Sequence, residues 1–298
     1  MEHDGLALHG IHVPLITPFE ADGSLARDAL DGLARQALAD GAAGLVALGT
    51  TAEVATLDEE EKQTVIEVCA KAARDHGAVL TVGAGGNDTR RTAAALGELA
   101  GVADAALVTV PAFTRPGAAG ALAHFEALAA TSPVPLVVYH IPYRTGQALD
   151  AEGLRRIGAL AGVAGVKYAA GGIDGDTVAL LADLPPGFAV LAGDDPFLLP
   201  LLAMGATGGI LASAHLATAS FVELDAHFTG PERSGERELG ARLARLSAAC
   251  FAEPNPTVIK GVLHAQGRIP TPDVRLPLLP AGPESVAAAL AALAAVTA

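Results

Sequence analysis

Val163-Ala164-Gly165-Val166-Lys167 is a short apolar run that ends in a lysine, and it sets the pattern for this 298-residue sequence. Similar apolar runs recur along the chain with helical segments between them, and most of them are bounded by Gly, Pro or Asp. Such runs are typical of parallel strands that are buried on both faces. The eight predicted strands are Ile11–Thr17, Gly44–Leu48, Val79–Gly83, Ala105–Val110, Leu136–His140, Val163–Lys167, Ala189–Gly193 and Gly209–Ser213.

Eight strand–helix alternations predict an α/β fold, a closed (β/α)₈ TIM barrel, rather than an open sheet. An open doubly wound sheet would usually carry a Gly-rich dinucleotide fingerprint after its first strand, whereas Thr17-Pro18-Phe19 stands there. After Ser213 the pattern is helical only. We therefore expect a barrel catalytic domain at 1–230 and a helical C-terminal extension at 231–298 that packs on it.

Composition excludes several classes of protein. Hydrophobic residues make up 51% and charged residues 17% of the chain, so a large core is available. The net charge of -14 argues against a nucleic-acid partner, which would need a basic face. Val286–Ala298 is too short to span a bilayer, and residues 1–10 lack the basic start of a signal peptide. We expect no membrane partner and a cytoplasmic location.

Lys167 is the first candidate for chemistry, because active sites of this fold lie at the C-terminal ends of the strands. The chain has only four lysines among its 19 basic residues, and the other three lie in helical patterns. A lysine desolvated by the barrel would have its pKa lowered from about 10.4 towards about 7–8. Its free amine could then attack a carbonyl and form an imine. Position alone leaves a structural lysine paired with a carboxylate as an equal alternative.

Two further strand ends carry polar groups. Gly49-Thr50-Thr51-Ala52-Glu53 offers hydroxyls and backbone N–H groups to a carboxylate, although a threonine cap on the next helix is the simpler alternative. Tyr139-His140-Ile141-Pro142-Tyr143-Arg144 places a phenol, an imidazole and a guanidinium close together. Arg144 suits bidentate binding of a carboxylate.

Taken together, these segments resemble the dihydrodipicolinate synthase/N-acetylneuraminate lyase family of pyruvate-dependent class I aldolases. The resemblance covers nearly the whole chain. It rests on Pro14–Phe19, Gly49–Glu53, Tyr139–Gly146, Gly165–Lys167, Gly193–Asp195, and Asn255-Pro256 with Lys260.

The resemblance implies a role for each matching residue. Lys167 forms the imine with pyruvate or another 2-oxo acid, and Tyr139 shuttles protons. Thr50 and Thr51 hold the pyruvate carboxylate, with Thr50 also in the proton relay. Arg144 binds a second carboxylate or a polar group of the partner substrate, and Ile210 contributes its backbone carbonyl. The resemblance further implies a homotetramer built as a dimer of dimers, and it implies no cofactor and no metal.

Some positions depart from the family pattern. Ala52 replaces a glycine, and Phe113 replaces a tyrosine that reaches the site from a neighbouring subunit and completes the proton relay. Since Phe113 has no hydroxyl, we consider His140, Tyr143 and Tyr168 as substitute donors. We therefore predict a lyase or aldolase that joins pyruvate to, or releases it from, an aldehyde or 2-oxo acid partner.

Several alternatives stay open. The same imine chemistry would serve 4-hydroxy-tetrahydrodipicolinate synthesis in lysine biosynthesis or a sugar-acid dehydratase. A non-catalytic barrel that binds 2-oxo acids is an alternative of another class. A metal-dependent aldolase would need His and Glu ligands at strand ends, which the sequence does not show. Asp194-Asp195 is expected to cap the next helix rather than to bind a metal.

Overall fold

The computed structural model describes residues 6, 8–229 and 235–297. Its strands form a closed barrel in the order β1-β2-β3-β4-β5-β6-β7-β8, and neighbouring strands pair in parallel. The predicted (β/α)₈ barrel is confirmed. The strands are β1 (Gly10–Pro14), β2 (Gly44–Ala47), β3 (Val79–Gly83), β4 (Ala105–Thr109), β5 (Leu136–His140), β6 (Val163–Tyr168), β7 (Ala189–Ala192) and β8 (Gly208–Ile210).

The predicted C-terminal ends of β1 and β8 lie three residues beyond the observed ends. The sequence extends the first strand to Thr17 and the last to Ser213, whereas the ladders stop at Pro14 and Ile210. The residues that follow each strand are nevertheless buried: Leu15, Ile16 and Thr17 after β1, and Leu211, Ala212 and Ser213 after β8. An apolar run reports burial, and burial continues here into loops that make no strand ladder.

Helices follow the strands along the chain. They are α1 (Arg27–Ala39), α2 (Glu59–His76), α3 (Thr89–Gly97), α4 (Gly117–Ala129), α5 (Pro142–Thr145), α6 (Ala151–Gly158), α7 (Gly175–Ala182), α8 (Leu198–Ala203), α9 (Ala214–Thr229), α10 (Glu236–Cys250), α11 (Thr257–Ala265) and α12 (Pro283–Thr297). Short 3₁₀ turns lie at Thr50–Ala52, Val54–Thr56 and Asp195–Phe197. Among the described residues, no helix is both long enough and apolar enough to cross a membrane.

The chain divides into two compact units. The first unit joins Thr81–Gly209 to the residues up to His9, and it carries β4 to β7. The second unit joins Gly10–Leu80 to Ile210–Ala298, and it carries β1 and β2 together with α9 to α12.

Within the second unit, α9 packs on β1 and α1 and is the last helix of the barrel, while α10, α11 and α12 pack on α9 and on one another. The predicted boundary at 230/231 lies outside the described residues and stays a prediction. Residues 1–5, which enter the signal-peptide prediction, also lie outside them.

The start of α2 is fixed by a reciprocal cap, as the sequence Asp58-Glu59-Glu60-Glu61 predicts. The Asp58 carboxylate accepts a hydrogen bond from the Glu61 N–H at 2.8 Å, and the Glu61 carboxylate accepts one from the Asp58 N–H at 3.0 Å. Both bonds satisfy donors that the first turn of a helix would otherwise leave unpaired.

Replacing Asp58 with alanine is expected to lower the free energy of unfolding by about 1 kcal/mol, because the Glu61 N–H loses its acceptor. Urea denaturation of the wild type and D58A measures the change. E60A is the matched control, because Glu60 lies in the same turn and is exposed. Equal losses in the two variants would show that the cap contributes nothing specific.

Candidate active site

Lys167 and Tyr139 lie side by side on neighbouring strands. They are register partners of β6 and β5, and partners in register place their side chains on the same face of the sheet. The Lys167 Nζ lies 4.5 Å from the centroid of the Tyr139 ring, and both side chains are buried. The two residues that the resemblance assigns to imine formation and proton transfer are thus brought together.

The opposite face of the same two strands carries His140 and Tyr168. These residues are also register partners, and their rings stack with centroids 5.6 Å apart. The Tyr168 hydroxyl lies 3.1 Å from the Thr177 Oγ1 on α7. Since α7 belongs to the outer helical layer, Tyr168 faces outward and Lys167 faces the barrel interior.

Burial lowers the pKa of Lys167 to about 8. The negative charges of Asp195 and Asp194 oppose this shift but do not cancel it. The cause is the loss of hydration, which a buried ammonium feels more strongly than a neutral amine. At pH values near 8 about half of the protein therefore carries a free amine at this position, and a free amine is the form that attacks a carbonyl.

Gly193 leaves room for the Lys167 side chain. A Cβ at this position would lie 2.9 Å from the Lys167 Cγ and 3.0 Å from both the Ala169 Cβ and the Tyr168 carbonyl oxygen. Contacts this short would displace the lysine stem. Gly193 thus leaves space for the candidate lysine, a contact that its place directly after β7 could have indicated.

Asp194 does not cap the following turn, so that expectation was wrong. Its side chain makes no capping bond to the 3₁₀ turn at Asp195–Phe197, and its carboxylate accepts a hydrogen bond from the Gly171 N–H at 2.7 Å. Burial raises the pKa of Asp194. The residue therefore links the loop after β6 to the end of β7 and places a carboxylate in the electrostatic environment of Lys167.

Arg144 lies on α5, which begins directly after β5. Its Nε donates to the Tyr143 hydroxyl at 3.1 Å, and its guanidinium carbon lies 5.5 Å from the centroid of the Tyr143 ring. Both residues are exposed. Four of the five N–H groups of a guanidinium remain for a ligand after one such bond, so Arg144 is able to bind a carboxylate through two of them.

Phe113 lies in the loop after β4, and this loop is hydrogen-bonded to α5, which carries Arg144, and to the residue after it. Its N–H donates to the Thr145 carbonyl at 2.9 Å, and the nearby Arg115 Nε donates to the Gly146 carbonyl at 2.8 Å. Phe113 has a φ of 63°, which is unfavourable for any residue with a Cβ, and its side chain is 91% exposed. A strained aromatic residue with an exposed ring is unusual on a protein surface.

Thr50 and Thr51 belong to the second unit, in a segment that we call the threonine loop (residues 49–57). They begin a 3₁₀ turn after β2, and neither caps it. The Thr51 Oγ1 accepts a hydrogen bond from the Asn255 Nδ2 at 2.9 Å and is buried, whereas Thr50 is half-buried. Ile210 ends β8 in the same unit and is also buried.

Metal ligation receives no support from the geometry. In residues 6, 8–229 and 235–297, no group of three or more His, Cys, Asp or Glu side chains is arranged to hold a metal ion.

The sequence profile of the Dihydrodipicolinate synthetase family matches residues 7–296. The chain belongs to this family. The 4-hydroxy-tetrahydrodipicolinate synthase of Moorella thermoacetica is 37% identical over 284 residues, which cover 93% of this chain and 95% of that protein. These relationships make the chain an enzyme of the lyase or synthase kind that acts on small molecules.

Solved structures of the family agree closely with this fold. The dihydrodipicolinate synthase of Thermotoga maritima has a TM-score of 0.92 at 30% identity and covers 97% of this chain and 98% of its own. The chloride-inhibited dihydrodipicolinate synthase of Acinetobacter baumannii, complexed with pyruvate, has a TM-score of 0.91 at 30% identity. The match covers 98% of this chain and 99% of that one.

Ala52, which departs from the family pattern, and two of the substitute donors lose their importance in the structure. Ala52 occurs in the 3₁₀ turn and is not among the residues with positive φ, which in this loop region are Leu48 and Glu53. The turn therefore does not require glycine at position 52. His140 and Tyr168 face the helical layer, and burial lowers the pKa of His140 to about 4. Neither side chain faces Lys167, and the idea that Tyr143 supplies the missing relay hydroxyl stays a prediction.

The buried ammonium of Lys167 is expected to lower the stability of the folded protein. Because the pKa of Lys167 is about 8 in the folded state and that of an ordinary solvated lysine is 10.5, the unfolded chain binds more protons between these pH values. Stability therefore rises with pH across this window. Replacing Lys167 with methionine should raise the free energy of unfolding by about 3 kcal/mol at pH 7 and by only about 1 kcal/mol at pH 10.

Urea denaturation at both pH values measures this difference. K71M is the matched control, because Lys71 pairs with Asp75 on an exposed face of α2 and should show no such pH-dependent gain. A K167M gain that is the same at pH 7 and pH 10 would contradict the lowered pKa.

Proposed function

We propose that Lys167 forms a Schiff base with pyruvate and that the enzyme joins the resulting enamine to an aldehyde. The observation that carries this proposal is the buried Lys167 amine, whose pKa is lowered to about 8, beside the ring of Tyr139. A neutral amine next to a phenol combines a nucleophile with a group that transfers protons.

The first half of the reaction activates pyruvate. The Lys167 Nζ attacks the ketone carbon, and the ketone oxygen leaves as water after taking up protons through the Tyr139 hydroxyl. Thr50 and Thr51 hold the carboxylate through their hydroxyls and backbone N–H groups, and the Ile210 carbonyl accepts a hydrogen bond from the reacting substrate. The protonated imine withdraws electrons, so a proton can leave the methyl carbon to give an enamine. In this scheme the imine acts as the electron sink, and no cofactor or metal takes part.

The second half makes the carbon–carbon bond. The enamine carbon attacks the carbonyl carbon of the aldehyde, and the aldehyde oxygen takes up a proton and becomes a hydroxyl. Either water or an amine of the product then displaces Lys167 and restores the free amine. Read in reverse, the same steps cleave a 2-oxo acid to pyruvate and an aldehyde.

The comparisons favour one aldehyde partner over the wider aldolase reading of the sequence. A 4-hydroxy-tetrahydrodipicolinate, which the relatives are named for making, has a seven-carbon skeleton with two carboxylates and a ring nitrogen. Pyruvate supplies three carbons and one carboxylate. The partner must therefore be a four-carbon amino aldehyde with its own carboxylate, which is an aspartate semialdehyde. We propose this substrate, with the exposed guanidinium of Arg144 binding its carboxylate.

The broader aldolase remains the second candidate because of one observation. Phe113 presents an exposed apolar ring in the loop that is tied to α5, where a tyrosine would present a hydroxyl. This rim favours an aldehyde with an apolar or aromatic group. A sugar-acid dehydratase, which needs a polar rim, is correspondingly less well supported.

We further propose a homotetramer, built as a dimer of dimers, in the cytoplasm. An aromatic side chain that is 91% exposed in one chain has a physical reason to be covered by a second copy. The cytoplasm accords with Cys69 and Cys250, which are buried and remain thiols, since disulfides are rare in reducing compartments.

Borohydride reduction in the presence of pyruvate tests the central proposal. We expect a stable adduct on Lys167, identified by intact mass and peptide mapping, because reduction converts the imine into a secondary amine. K167A should give no adduct, and K71A, which removes an exposed lysine, should give the wild-type adduct. Absence of the adduct from the wild type would leave a non-catalytic barrel that binds 2-oxo acids as the better account.

Replacing Phe113 with tyrosine is expected to raise the rate of imine formation by about tenfold, because a hydroxyl added to the proton relay supplies a general acid–base group. The measurement is the rate of pyruvate-dependent inactivation by borohydride. F251Y is the control, because it adds a hydroxyl to a partly exposed phenylalanine at the end of α10.

The variant Y143F completes this test. If Tyr143 replaces the missing relay hydroxyl, Y143F should slow imine formation, and the double variant F113Y/Y143F should recover the rate. Equal rates in the wild type, F113Y and Y143F would show that neither position takes part in proton transfer.

A further inference from the structure

A buried ion pair in the second unit connects the threonine loop to α11. The Lys260 Nζ lies 2.5 Å from the Glu53 Oε1, and the two side chains are 0% and 1% exposed. Lys260 lies on α11, and its partner is 207 residues away in the sequence. The same ammonium donates to the Asp273 carbonyl at 2.8 Å and lies 4.1 Å from the centroid of the Phe19 ring.

Stability alone does not account for this pair. Taking two charges out of water costs free energy that their attraction often fails to return, and apolar residues of similar size usually stabilise a fold as well or better. Burial lowers the pKa of Lys260 to about 8, although the charge of Glu53 acts in the opposite direction. A pair that is costly to bury and yet fully buried points to a role in holding the groups next to it.

Glu53 is the point at which the threonine loop is fixed. It adopts a left-handed backbone with a φ of 55°, and its side chain is bonded at both oxygens. The Oε1 accepts from Lys260, and the Oε2 accepts from the Arg275 N–H at 2.8 Å. Arg275 also donates through its Nη1 to the Thr56 carbonyl at 2.8 Å, so the second half of the loop is bonded to the C-terminal segment at two places.

The first half of the loop is bonded in the same way. The Asn255 Nδ2 donates to the Thr51 Oγ1 at 2.9 Å, and the Thr17 Oγ1 donates to the Ala52 carbonyl at 2.8 Å. A hydroxyl that accepts from an amide keeps its own hydrogen for donation. The Thr51 O–H is therefore left to donate to an anionic oxygen.

We propose that Lys260, Glu53 and Asn255 are positioning residues that hold the threonine loop in the form that binds the substrate carboxylate. Lys260 holds the backbone of the loop in place through its bond to Glu53. It also neutralises the Glu53 carboxylate, which lies two residues from Thr51 and would repel the carboxylate of the substrate if it were unpaired. Asn255 sets the direction of the Thr51 hydroxyl. This inference rests on the proposed function, which gives the loop its carboxylate.

The test separates binding of the carboxylate from the chemistry of Lys167. Lactate has the carboxylate of pyruvate but no ketone, so its inhibition constant against pyruvate-dependent trapping reports carboxylate binding alone. K260M is expected to raise this constant, and the half-saturating pyruvate concentration, by about tenfold or more. The trapping rate at saturating pyruvate should stay within about twofold of the wild type, because Lys167 is unchanged.

Two further variants guard against simple unfolding. K260M leaves a buried carboxylate unpaired, whereas E53Q/K260M removes both charges and keeps an oxygen that can accept from the Arg275 N–H. The double variant should show the cooperative thermal unfolding of a folded protein. Its inhibition constant for lactate should still be about threefold higher than that of the wild type, because the bond between the threonine loop and α11 is gone. N255L should raise it as well. K62M is the control and should match the wild type, because Lys62 pairs with the exposed Glu59 on α2.

The outcomes are distinct. A folded E53Q/K260M or N255L with the wild-type lactate constant overturns this inference, and so does a variant in which only the saturated rate falls. A wild type that forms no adduct on Lys167 overturns the proposed function, and the positioning role falls with it.

Discussion

The desolvation of one amine is the constraint on which the site depends. Lys167 lies inside the barrel, where loss of hydration lowers its pKa to about 8. The neighbouring residues hold its side chain in this position and adjust its pKa. Tyr139 is its register partner on β5, so phenol and amine share a face. Gly193 omits the side chain that would displace the lysine stem, and the Asp194 and Asp195 charges limit how far the pKa falls. Each feature acts on the same side chain, that of Lys167.

The chain holds a second buried lysine whose pKa is also lowered to about 8, and the surroundings of the two lysines differ. Lys260 is bonded directly to the Glu53 carboxylate, which keeps it charged and fixed in place. The charges of Asp195 and Asp194 raise the pKa of Lys167, but burial lowers it by more than they raise it. A directly bonded ammonium can organise a loop but is a poor nucleophile, whereas a desolvated amine without such a bond can attack a carbonyl.

Of the positions that depart from the family pattern, Phe113 is the one with an unusual geometry. Ala52 occupies a turn that does not require glycine, and Tyr168 faces the outer helices. Phe113 keeps a strained backbone, with a φ of 63°, and an exposed ring, but it lacks a hydroxyl. Strain of this kind persists only where surrounding bonds impose it, and the bond from its N–H to Thr145 does so here. The bond to Thr145 thus holds the loop in this form, and the ring that the loop exposes carries no hydroxyl.

The sequence by itself determined the barrel, the capped start of α2 and the position of Lys167 at a strand end, because alternation, capping residues and apolar runs are local signals. Only the tertiary structure decided that Tyr168 faces away from Lys167, that Gly193 makes room for the lysine stem and that Glu53 meets Lys260 across 207 residues. The period-two alternation of a strand says that neighbouring residues face opposite sides, but not which side is the interior. Contacts between distant residues form only when the strands pair and the helices pack, and the burial that shifts a pKa exists only then.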